Sequence, residues 1–141
     1  MMRGTSIAIG LGVALYSAPA AAASDCPPVG HLPILRAARE PTVKANDTRT
    51  FKLTTRAGTQ TVSVRGATCS QSYTLVSGAA HGSDSEIQTA YRVRLQFQGA
   101  QLLYADDHES VEVFMNGARQ TFVGIRSMGG KVDITVVERP S

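Results

Sequence analysis

The densest group of side chains able to do chemistry is Asp106-Asp107-His108-Glu109, with Glu112 close behind. Carboxylates of this kind offer oxygen ligands to a hard cation, and the imidazole offers one nitrogen to a softer metal. The spacing lacks the alternating D-x-D-x-D-G of a calcium loop, and His31, His81 and His108 form no H-x-H or H-x-x-x-H pair. A polar turn rich in Asp needs no functional explanation. Metal binding at Asp106, Asp107, His108 and Glu109, as in a periplasmic metal-binding protein, is therefore the alternative reading and not the leading one.

Nucleophilic hydrolysis has weaker support. Gly124-Ile125-Arg126-Ser127-Met128-Gly129 has one residue too many before the serine to be a G-x-S-x-G elbow, and its neighbourhood reads as β-hairpin. His81-Gly82-Ser83-Asp84 collects the three triad residue types in one loop, but sequence neighbours do not easily stack nucleophile, base and orienter in line. The sequence predicts no catalytic residue, no cofactor and no enzymatic activity.

Cys26 and Cys69 are the two cysteines of the chain. They lack C-x-x-C spacing, which argues against a redox pair or a thiolate metal site. The N-terminus explains them better. Residues 1–23 read as a secretory signal peptide: Arg3, an apolar run from Ile7 to Tyr16, and the small-residue tail Ala20-Ala21-Ala22-Ala23. The apolar run is half of the roughly 20 residues needed to cross a bilayer, so no transmembrane segment is expected. Asp25 before Cys26 argues against lipidation, which requires a small residue there. An exported chain meets oxidising conditions, so Cys26 and Cys69 are expected to form a disulfide in a periplasmic or secreted protein. Closing so long a loop is worth roughly 4 kcal/mol by loop-closure entropy.

The elements that must position these groups are predominantly strands. With 43% hydrophobic, 18% charged and 6% aromatic residues, the chain has the composition of a globular protein. Residues 24–42 carry Pro27, Pro28, Pro33 and Pro41 and read as an extended N-terminal arm, with a helical turn or short strand at Ile34 to Arg39. Within the remaining domain, residues 43–141, the hydrophobic period changes to two. Strands are predicted over Arg49 to Thr55, Gln60 to Arg65, Ser72 to Ser77, Gln101 to Tyr104, Val111 to Met115, Arg119 to Ile125 and Val132 to Val137. The strongest alternation, Tyr91, Val93, Leu95 and Phe97 against Arg92, Arg94, Gln96 and Gln98, predicts a further strand with one dry and one solvated face. Asn116-Gly117 marks a hairpin. Seven or eight short strands and no convincing helix predict an all-β fold: an antiparallel β-sandwich with an immunoglobulin-like Greek key, or alternatively a small β-barrel.

Charge narrows the partners. The net charge is +3 and falls to +2 on removal of residues 1–23, too small for nucleic-acid binding, and no aromatic residues interleave the basic segment to stack on bases. Residues 36–65 are locally basic and residues 84–112 locally acidic, a pattern expected to neutralise across neighbouring strands. The reading that remains is an exported, non-catalytic module that binds another protein as adaptor, inhibitor, assembly accessory or immunity-type protein. Arg92 and Arg94, on the solvated face, are its candidate partner-binding residues.

Overall fold

Apolar alternation becomes antiparallel pairing in the computed structural model, which describes residues 25–78 and 82–140. The predicted signal peptide and His81 lie outside the described residues. In chain order the elements are β1 (Leu35–Ala37), β2 (Thr42–Thr55), β3 (Gly58–Leu75), α1 (Asp84–Phe97), β4 (Gln101–Ala105), β5 (Glu109–Asn116), β6 (Arg119–Met128) and β7 (Lys131–Pro140). The fold is all-β in class, with one helix. All seven strands belong to a single antiparallel sheet, ordered β1-β3-β7-β6-β5-β4, with β2 on the same edge of β3 as β1. The sheet curls into a half-barrel, closer to the barrel alternative than to two stacked layers.

The curl has local causes. β3 pairs with β7 only from Ala67 onward, and its first residues pair with β2 alone, so the β2–β3 hairpin projects beyond the sheet. At the point of departure stands Gly66, where a Cβ would collide with the Glu138 carbonyl. Opposite it, β2 carries a bulge between Lys44 and Asp47, which increases local twist. The hairpin folds over the face formed by Val111, Val113, Phe122 and Val137 and buries Phe51 and Val64 there. Phe51 stacks on Phe122 with ring centroids 5.7 Å apart and lies against Gly124, where an added Cβ would sit 3.1 Å from its ring. Lys52 Nζ meets Glu109 Oε1 at 3.1 Å and lies over the Tyr104 ring, joining the two edges of the half-barrel. This ion pair joins the basic and acidic segments between strands that are not hydrogen-bonded neighbours, β2 and β5, and not by the pairing of adjacent strands that the sequence suggests.

The opposite face is covered by α1 and the arm. Residues 84–97 form a helix instead of the predicted strand. Ser83 caps it: its hydroxyl accepts from the Glu86 N–H at 3.1 Å, and Glu86 Oε1 accepts from the Ser83 N–H at 3.2 Å. Helical geometry divides the four alternating apolar residues into two i,i+4 pairs. Tyr91 and Leu95, with Ile87, are fully buried, whereas Val93 and Phe97 face solvent. Arg92 and Arg94 therefore sit on helical flanks and not on the outer face of a strand.

The arm is part of the core. Cys26, Val29, Leu32 and Leu35 pack with α1 and with Val123, Ile125, Val132 and Ile134. The ambiguous Ile34 to Arg39 stretch supplies β1, and Cys26 is disulfide-bonded to Cys69. Among the described residues, no helix is long and apolar enough to cross a membrane.

One seam between α1 and the sheet is polar. Gln88 Nε2 donates to the carbonyls of His108 and Ile125, both at 3.1 Å, and to Ser127 Oγ at 2.9 Å. Glu112 lies fully buried on the same side of β5 as Ser110, and neither of its oxygens has a hydrogen-bond partner. Burial pushes its carboxyl up to about 7, against the opposing pull of Arg92.

Two outcomes follow from this packing. Replacing Cys26 and Cys69 with serine should cost about 2–5 kcal/mol, measured as a lower urea midpoint that reductant no longer changes. Because the folded chain retains the Glu112 proton to pH about 7 while the unfolded chain releases it near 4.5, the contribution of Glu112 to stability is greatest below that lower value and falls between the two. The loss reaches about 3 kcal/mol. Glu112→Gln should flatten that slope; equal slopes in urea titrations of both proteins at pH 5 and 8 would show that Glu112 is not its source.

Candidate functional site

At about 100° per residue, Ala90, Val93 and Phe97 fall within about 60° of one another on the side of α1 facing away from the core. Val93 is 62% and Phe97 93% exposed, so most of each side chain is left uncovered by this chain. Beside this stripe runs an apolar groove of about 750 Å³, walled by Leu32, Pro33 and Ile34 of the arm and by Thr89, Ala90 and Val93 of the helix. The disulfide and the buried Leu35 hold the arm in place and so keep that wall formed. Arg92 and Arg94 fall about 100° to either side of Val93, as flanks of the stripe. Arg92 reaches Thr89 Oγ1 at 3.4 Å, and Arg94 Nη1 is buried without a hydrogen-bond partner.

The acidic turn between β4 and β5 is occupied by its own structure. Asp106 Oδ1 accepts from the backbone N–H groups of His108 at 2.8 Å and Glu109 at 2.7 Å, and Oδ2 accepts from the Tyr104 hydroxyl at 2.6 Å. Burial opposes ionisation of Asp106, but these donors outweigh it and hold the carboxyl below its usual range. Glu109 is paired with Lys52, and His108 Nδ1 lies 3.2 Å from Asp84 Oδ2 at the start of α1. Asp107 is exposed, and Glu112 points into the core. The four residues are adjacent, but their ligand atoms face different partners. Among the described residues, no group of three or more His, Cys, Asp or Glu side chains is placed to hold a metal ion.

A second histidine–carboxylate contact escapes the sequence reading altogether. Asp25 Oδ1 accepts from the Tyr73 hydroxyl at 2.6 Å and lies 2.8 Å from His31 Nδ1, while the His31 ring stacks on Tyr73 with centroids 5.2 Å apart. Burial, reinforced by Asp25, pushes the Tyr73 hydroxyl far above the usual tyrosine range. A histidine oriented by a carboxylate is half of a hydrolytic triad. Among the described residues, no serine or cysteine side chain is hydrogen-bonded to either ring, and the Tyr73 hydroxyl is turned to Asp25. What the cluster does is fasten the start of the arm to β3, four residues along from Cys69. Nothing in the spacing of residues 25, 31 and 73 signals it, because the arm's path is set by tertiary packing.

The sheet edges offer poor alternatives for partner binding. β1 is three residues long, β4 is interrupted between Leu102 and Tyr104, and the exposed start of β2 carries Lys44 and a bulge. These are features that discourage an added strand. The outward side of α1 carries the larger exposed apolar side chains, and the helix itself is signalled in the sequence by Ser83-x-x-Glu86 followed by Ile87, Tyr91 and Leu95 at fourfold spacing. No protein-family model matches this chain, and no curated protein sequence matches it.

Proposed function

We propose that this chain is an exported, non-catalytic module that acts by binding protein, and that the groove between α1 and the arm, with Val93 and Phe97 beside it, is its contact surface. The observation that carries this reading is the exposure of two large apolar side chains on a capped, well-packed helix, next to a preformed apolar groove. Burying a phenylalanine side chain is worth about 2–3 kcal/mol, so an aromatic held in solvent is a ready anchor for a partner. Arg92 and Arg94 supply the polar rim, where arginine is favoured. Export is supported by the N-terminal pattern of residues 1–23 and by the disulfide.

A photo-crosslinking amino acid placed at position 97, in protein exported by its own host, should give a discrete adduct. The same probe at Thr59, on the far hairpin, should give none. Charge reversal at Arg92 and Arg94 together should weaken the adduct. Equal labelling from both probe positions, or none at position 97, would remove this face as the contact surface.

A further inference from the structure

Among the described residues, Glu112 is the acidic side chain that the fold buries completely. It alternates along β5 with Val111 and Val113 and so faces α1, as Ser110 and Phe114 do, and neither of its oxygens meets a donor. A carboxyl in a dry seam stays neutral unless an opposite charge can reach it, because an unpaired buried carboxylate is strongly disfavoured. The question is which group can answer Glu112 when its proton leaves.

Three elements close around it. β4 and β6 bring its register partners Leu102 and Val123, neither of them charged. Helix α1 runs in the same direction as β5: Asp84 at its start meets His108, and its end leads into Gln101, the partner of Val113. Four residues of helix rise about 6 Å, close to the roughly 6.6 Å of two strand residues. Gln88, bonded to the carbonyl of Ile125, therefore stands level with Ser110, the register partner of Ile125. Arg92, one turn on, stands level with Glu112, and it is the charged group that acts on the Glu112 carboxyl. The other titratable groups of this helix are turned elsewhere: Asp84 to His108 at the helix start, and Tyr91 with Arg94 toward Leu32 and Asp25 of the arm. Arg92 is half-buried at the edge of the seam, and its Nη2 donates to Thr89 Oγ1 through a long hydrogen bond of 3.4 Å. Exchanging that bond for a charge-assisted one is favourable once a carboxylate is present.

We propose that Arg92 and Glu112 form a latch operated by pH. With Glu112 protonated, Arg92 rests on the outer flank of α1 against Thr89; with Glu112 ionised, the guanidinium turns inward and pairs with the carboxylate across the seam between α1 and β5. The helix stays docked in both states, and only the arginine changes place. The latch involves α1 and β5 alone and is independent of what α1 contacts.

Carbon NMR of the processed, disulfide-bonded protein from pH 5 to 9, following the Glu112 carboxyl and the Arg92 side-chain carbons, tests the latch. In the wild-type chain both should move with one midpoint, while the hydrogen-exchange protection of the α1 amides stays constant through it. Glu112→Gln should abolish the Arg92 movement. Arg92→Gln should raise the Glu112 midpoint by about one pH unit or more, the usual effect of withdrawing a partner charge. It should also enlarge the loss of urea stability between pH 5 and 8, because a higher folded-state midpoint lies further from that of the unfolded chain. Arg92 carbons that stay fixed while Glu112 titrates, or that move equally in Glu112→Gln, would overturn the proposal. A Glu112 midpoint unchanged by Arg92→Gln, or a carboxyl that does not titrate in this range, would do the same. Loss of α1 protection through the midpoint would also overturn it, in favour of the helix lifting from the sheet.

Discussion

Over residues 110–114, 121–123 and 136–137 the central strands β5, β6 and β7 are buried on both faces, and the rest of the molecule is arranged around that constraint. Val111 and Val113 point to one side of β5 and Phe114 to the other; Phe122 and Val123 divide β6 in the same way, and Val136 and Val137 divide β7. A sheet with one wet face would tolerate an open geometry, but one that is apolar on both sides must be covered twice. The projecting β2–β3 hairpin supplies one cover, with Gly66 and the β2 bulge permitting it to curl over. Helix α1 supplies the other. The arm completes it, locked to β3 by the Cys26–Cys69 bond and by the Asp25–Tyr73 hydrogen bond. The disulfide thus fastens an element whose apolar side chains form part of the core.

Features decided by neighbouring residues were readable in the sequence. The Asn116-Gly117 hairpin depends on residues that tolerate positive φ, and Gly117 has φ +59°. The β2–β3 hairpin and the disulfide follow from equally local or compositional cues. Residues 91–97 were misread because Tyr91, Val93, Leu95 and Phe97 satisfy a period of two as well as two interleaved periods of four. The window that resolves this ambiguity begins earlier, at Ser83, and includes the capping box and Ile87. Whether the seven strands form one sheet or two was beyond periodicity, because alternation assigns side chains to faces without saying what covers each face. The closure depends on where β3 leaves β7, a tertiary feature marked in the sequence by a single glycine.

The polar seam between α1 and the sheet combines one well-used amide with buried groups that meet no partner within the protein. Gln88 answers two strand carbonyls and a serine, so its amide is well used. Its own carbonyl oxygen, the Ser110 hydroxyl and both Glu112 oxygens are left without partners. A buried polar group left without a partner typically costs about 1–3 kcal/mol. The apolar half of the interface, through Ile87, Tyr91 and Leu95, must supply the attraction that tolerates this cost.

The same helix carries its own counter-argument to a purely structural role. A helix needed only as a cover for the sheet requires one apolar face, and α1 has that face in Ile87, Tyr91 and Leu95. Its outward side would then be filled most economically by polar residues, as Thr89 and Gln96 fill part of it. Phe97 stands just before the C-cap residue Gln98, and the helix end is closed without it: the Gly99 and Ala100 N–H groups donate to the carbonyls of Gln96 and Leu95, and the apolar residues at the closing positions are the buried Ala100 and Leu95. Phe97 takes no part in that closure, and 93% of it remains in solvent. Fold stability therefore gives no reason for an aromatic at this position, and solubility gives a reason against one. The chain thus leaves an apolar stripe uncovered on the one helix of its described residues, and the proposed contact surface is built on that stripe.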